Sequence, residues 1–117
     1  MGKLVSIKNK YIFSSSKPDN SHYYLKYYDK KHKETRLVGL THLYSVSKGH
    51  KESLAKGYLK EEKFKQLYLP SGVKNKYINN DINGKPLKFN SFIYHNLGTV
   101  SKKQTNRIVK FAKKKDF

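Results

Sequence analysis

The sequence predicts a small α+β domain: a curled antiparallel sheet or partial barrel, with one helix near the end of the chain packed on it. Three observations predict it. Short β-prone runs of Tyr, Val, Ile and Phe recur along the 117 residues, separated by turn-forming residues. One amphipathic helical pattern follows them, after Gly98. Leu, Ile, Val and Phe account for 29 residues, about a quarter, which lies above the roughly 20% level at which disorder is the default. A chain of this length builds one domain with a single modest core, and ten Tyr add buriable surface.

The elements follow in order. Leu4 to Ile7 and Tyr11 to Phe13 read as one strand or two short ones. Ser14 to Asn20 (SSSKPDN) is turn chemistry, read first as a simple connection and second as a loop facing a ligand. The stretch beginning at Tyr23, YYLKYYDKKHKETRLVGLTHLYS, organises the rest. It predicts strands from about His22 to Tyr28 and from about Thr35 to Leu40, joined by the charged turn DKKHKE. Tyr23, Tyr24, Tyr27 and Tyr28 fall on both faces of the first strand, so one face is buried and the other displays aromatic rings.

Lys48 to Phe64 holds at most a short helix broken at Gly57, since Gly inside a helix costs about 1 kcal/mol. Phe64 to Leu69 alternates as a strand and ends at Pro70-Ser71-Gly72. Val73 to Ile78 is a further strand, with Lys74 and Lys76 on one face. Asn79 to Gly84 is a turn: its D-x-N-G lacks the ligand ladder and closing Glu of a calcium loop. Leu87 to Tyr94 holds one or two strands. Ser101 to Gln104 fits a capping box. The helix then runs to about Lys114, with Ile108, Phe111 and Ala112 as its apolar stripe and Val109 at the margin. Its cations include Lys102, Lys103, Arg107 and Lys110. Lys113, Lys114 and Lys115 complement the helix dipole or, equally, contact phosphate.

Charge is the strongest clue to function. The formal net charge is +18. Self-repulsion at that charge opposes compaction, and a polyanion relieves it; nucleic acid, RNA or DNA, is the commonest such partner. No amphipathic anchor or long apolar run points to a membrane, and no signal peptide is evident, so a cytoplasmic location is expected. With no Cys, disulfides and thiolate metal sites are excluded. The eight acidic residues are scattered and no H-x-x-x-H pair occurs, so no metal or other cofactor is expected. The candidate nucleic-acid contacts are Tyr24, Lys26, Tyr28, Lys74, Lys76, Lys102, Lys103, Arg107 and Lys110. Exposed Tyr rings stack on bases, and Lys and Arg hold phosphates.

RNA cleavage without a metal needs a base for the 2′-hydroxyl, cationic donors for the phosphate and an acid for the leaving oxygen. Arg36, Thr41 and His42 follow one another along the second strand, with Lys33 in the turn before them. Arg can bind a phosphoryl group through two parallel hydrogen bonds, and His moves protons near neutral pH. Strict alternation puts Thr41 and His42 on opposite faces, so a shared site needs a strand end or bulge there.

A strand that follows the first hairpin and ends in Thr, as in RLVGLTHLYS, resembles the bacterial toxin endoribonucleases of the ToxN/AbiQ and MazF/PemK type. The terminal TVSKKQTNRIVKFAKKK is similar to their closing helix. The resemblance covers about half the chain. It implies an SH3-like partial barrel with appended helices and a metal-independent endoribonuclease acting on RNA, held by an antitoxin of RNA or acidic protein. It favours Thr41, then Arg36 and Lys33, as catalytic positions, whereas His42 has no family counterpart. The alternative expectation is a non-catalytic basic protein of a mobile element or phage that only binds nucleic acid.

Overall fold

The computed structural model describes residues 2–42, 67–68, 78 and 80–114. Its centre is the hairpin of β2 (Ser21–Asp29) and β3 (Glu34–His42). β1 (Gly2–Lys8) and β5 (Tyr94–Val100) extend the sheet beside β2, and the two residues of β4 (Leu67–Tyr68) extend it beside β3. Every pairing is antiparallel, in the order β4-β3-β2-β1-β5. β4 and β5 are edges that do not pair with each other among the described residues. The sheet is therefore open, and the partial-barrel alternative is corrected to an open sheet carrying helix α1 (Lys102–Lys114).

Strand alternation divides the apolar residues between two faces. Leu4, Leu25, Tyr27, Val38, Leu40 and Val100 face α1, which buries Ile108 and Ala112 against them; Val109 and Phe111 flank the contact. The expected helical stripe is thus the packing face. Contact is close at Gly2, whose amide donates to Thr105 Oγ1 at 2.9 Å. A Cβ there would lie 2.7 Å from that oxygen and 2.8 Å from Leu25 Cδ1. The other face buries Val5, Ile7, Tyr24 and Leu37 beneath Tyr11, Ile12, Ile78, Leu87, Phe89 and Tyr94. The result is three layers: helix, sheet, and a covering of loop segments.

Two expected strands are not strands. Residues 9–11 form a 3-10 turn, because the Asn9 carbonyl accepts from the amides of Ile12 and Phe13, both at 3.0 Å. Asn9 also pins the following loop: its amide donates to the Asn20 carbonyl at 2.8 Å and its side chain to the Lys17 carbonyl at 3.1 Å. Ser14 to Asn20 is accordingly a tethered connection. Residues 87–93 are irregular until Tyr94 opens β5. Asn90 folds them into a turn, its Oδ1 accepting from Phe92 N–H at 3.0 Å. Their alternation serves to seat Leu87 and Phe89 on the sheet, not to pair a ladder. Ile78 makes an isolated bridge to Leu37, and Asp81 closes the expected turn by accepting from Asn83 and Lys85 amides at 2.8 and 3.0 Å. The readings for residues 48–64, and for 73–77 as a strand, lie outside the described residues.

Candidate nucleic-acid interface

One concave site lies where the end of β2 and the turn after it approach α1. It is a cleft of about 760 Å³. Lys30 and Lys31 stand on the turn side, and Lys102, Lys110 and Lys113 on the helix side, with Asn106 among them. Positions 102, 106, 110 and 113 recur at helical spacing, so they form one stripe beside the buried one. Ser101 starts that stripe by capping: its Oγ accepts from Gln104 N–H at 3.2 Å.

The turn is shaped by Asp29. Its Oδ1 accepts from the amides of Lys31 at 3.0 Å and His32 at 3.2 Å, and Lys33 takes a left-handed φ of 52° to close it. Its Oδ2 meets His32 Nδ1 at 2.9 Å and lies 3.5 Å from Arg36 Nε. The hydrogen bond from His32 lowers the Asp29 pKa below the ordinary carboxylate value, outweighing the burial that opposes ionisation, and Arg36 adds to the lowering. Among the described residues Asp29 is the only carboxylate lining the cleft, and these contacts already engage it. Five lysines therefore give the cleft a strongly positive lining.

The expected contacts divide around this site. Tyr28, Lys102 and Lys110 line the cleft, and Tyr28 is 57% exposed. Lys103 and Arg107 lie on α1 but not in the lining; Arg107 donates to Gln104 Oε1 at 2.9 Å. Lys26 belongs to the opposite face, its ammonium 4.1 Å from the ring centre of Tyr94 and 5.5 Å from that of Phe89. Tyr24 requires correction as a stacking residue. It is 4% exposed, inside the core on that face, and burial pushes its phenol up to about 12. Lys74 and Lys76 lie outside the described residues.

The expected catalytic group is not one constellation. Lys33 and Arg36 belong to the turn end of β3, whereas Thr41 and His42 close its far end. Thr41 lies five steps along the strand from Arg36, about 17 Å at the usual rise of about 3.3 Å. The ladder runs in register through Thr41↔Tyr68 and His42↔Leu67, so no bulge occurs there and the two residues close the strand as its end; the side chains of Thr41 and His42 lie outside what is described. Arg36 is occupied at home. Burial works against its charge, but Glu34 and Asp29 raise its pKa, and its Nε donates to Glu34 Oε1 at 2.8 Å.

Sequence reasoning missed Lys30, Lys31 and Asn106 as members of one site with α1, and gave no role to the Asp29–His32 pair. The D-x-x-H spacing across the charged turn was the available signal, since Asp accepts from amides two and three residues on.

No protein-family model matches the sequence, and neither a curated protein nor a solved structure is similar to it. Among the described residues no group of three or more His, Asp or Glu side chains converges to hold a metal, and no helix is long and apolar enough to cross a membrane. Fold and site together define a small α+β protein with an open antiparallel sheet and a lysine-lined cleft.

Proposed function

We propose that this protein binds nucleic acid by its phosphodiester backbone, in the cleft between α1 and the β2–β3 turn. The observation that carries the reading is the arrangement of five lysines on two walls of one concavity, with a single, already engaged carboxylate among the described lining residues. Ammonium groups so placed meet successive phosphates and release the counterions condensed there. Asn106 supplies a side-chain amide at the same place. The overall charge of +18 draws the polyanion to the protein from a distance.

The test is binding of labelled RNA and DNA by the full chain across a salt series. A linear fall of log affinity with log salt, made shallower by Lys102→Gln with Lys110→Gln, supports the reading. A flat salt response, or binding indifferent to both substitutions, overturns it. The toxin-type endoribonuclease, with RNA as substrate and an RNA or acidic protein as antitoxin, is the second reading. It needs everything the first needs, and a base beside the cleft as well. The Asp29–His32 pair is the observation that favours it.

A further inference from the structure

We infer that His32, oriented by Asp29, is the general base of the lysine cleft, and that this site cleaves RNA by attack of the 2′-hydroxyl on the adjoining phosphate. The inference rests on the binding reading, since the base acts only on a backbone held by the lysines. It moves the chemistry from the far end of β3, where Thr41 and His42 stand, to the turn before β3.

Three observations carry it. The first is the division of labour on Asp29. Oδ1 alone accepts from the Lys31 and His32 amides and so closes the turn. Oδ2 is left for the imidazole, at 2.9 Å. Closing the turn does not require that second contact. What the second contact does is orient the ring. An ionised carboxylate only accepts, so in the neutral ring Nδ1 carries the proton and Nε2 the lone pair. This is the arrangement by which a carboxylate sets the tautomer of a catalytic imidazole.

The second observation is the contrast in exposure. The Asp29 side chain is 5% exposed and that of His32 is 49% exposed. The orienting group is fixed in the protein while the base remains open to a substrate. The third is location. Asp29, Lys30 and Lys31 all line the cleft; His32, the next residue, is outside the lining and adjoins it along the turn. Ammonium groups of that lining would stabilise the charge that grows on the non-bridging oxygens during attack. The charged groups facing the pair are Arg36, which lies 3.5 Å from the same Oδ2, and Glu34, which holds Arg36; Lys30, Lys31 and Lys33 adjoin it in the turn.

The step balances without oxidant or cofactor. Nε2 takes the proton of the 2′-hydroxyl, the 2′-oxygen bonds to phosphorus, and the bond from phosphorus to the 5′-oxygen breaks. The imidazolium returns its proton to that 5′-oxygen, directly or through water. The products are a 2′,3′-cyclic phosphate and a free 5′-hydroxyl.

The experiment uses the full chain, an RNA oligonucleotide and its fully 2′-O-methylated counterpart, in EDTA. The expected result is cleavage of the RNA alone, to cyclic-phosphate ends. His32→Asn keeps an amide nitrogen for Asp29 Oδ2 but has no base; it is expected to bind RNA as the parent does and to cut it about 10²–10⁴-fold more slowly. His32→Ala is expected to regain rate when free imidazole is added, which a purely structural role would not produce. RNA bound but left intact, or cut at an undiminished rate by His32→Asn, overturns the inference and leaves the binding reading standing. Failure to bind RNA at all overturns both.

Discussion

The salt dependence of binding is the sharpest consequence of the cleft. Among the described residues five lysines line it. If each neutralises one phosphate, log affinity falls against log salt with a slope of about −3.5 on a single strand and about −4.5 on B-form DNA, at about 0.7 and 0.9 per phosphate. Between about 50 and 200 mM salt the affinity then drops by about 130-fold or about 500-fold respectively. Replacing Lys102 and Lys110 with Gln leaves three contacts, a slope of about −2.1 to −2.7, and a drop of only about 20- to 40-fold. Both positions are exposed on α1 and lie outside its packing stripe, so the fold is expected to survive, and a thermal melt checks that. Fluorescence anisotropy of a labelled oligonucleotide at four or five salt concentrations measures the slope. Lys103→Gln, on the same helix but outside the cleft, is the matched control and is expected to leave the slope nearly unchanged. If the double substitution leaves the slope unchanged, or the control lowers it equally, phosphate binding is not localised in the cleft.

Other consequences are structural. Gly2→Ala is expected to cost about 1–3 kcal/mol in denaturant unfolding, because its Cβ would crowd Thr105 Oγ1 and Leu25 Cδ1. Ile108→Ala is expected to cost about 2–5 kcal/mol, since Ile108 is fully buried between α1 and the sheet. The Asp29 carboxyl titrates below its ordinary value in the folded state. Its contribution to stability is present above about pH 3.9 and is lost as pH falls through the lowered value. Asp29→Asn is expected to abolish that part of the acid transition in a series of melts. Tyr24 carries the opposite sign. Its phenol is raised to about 12, so the stability it contributes is complete below about pH 10 and is lost as pH rises toward 12. Phenolate absorbance should show a late-ionising component that Tyr24→Phe removes.

Much of the fold was legible in the chain, because the hairpin and the helix state their geometry locally. The charged turn from Asp29 to Glu34 separates two β-prone runs, and β2 and β3 extend the expected strands by only one or two residues at each end. Ser101 and the spacing of Ile108, Phe111 and Ala112 define α1. What misled was alternation without a ladder. Leu87 and Phe89 alternate because both must reach the sheet, yet no strand pairs with them. The site was less legible for a related reason. Lys30 and Lys31 are about seventy residues from Lys102, and only the packing of α1 across β1 and β2 sets them around one cleft. Tyr24 and Tyr28 looked equivalent at period two, but Tyr24 lies under the Leu87–Phe89 covering while Tyr28 stands beyond its reach. Thr41 and His42 drew notice through their chemistry, whereas the length of β3 decides whom they can work with.

The hydrogen bond from Gly2 to Thr105 joins residues 103 apart, and β1 is also paired with β5. During synthesis, the β1–β2–β3 meander can therefore assemble well before its helix-facing side is covered. About sixty residues lie between the end of β3 and the start of α1, roughly 3–12 s of translation. For that interval Leu4, Leu25, Val38 and Leu40 present an apolar surface to the ribosome exit and to chaperones. A chain with so distant a closing contact folds slowly for its size. The exposure of this apolar face during synthesis thus lasts as long as the helix takes to emerge.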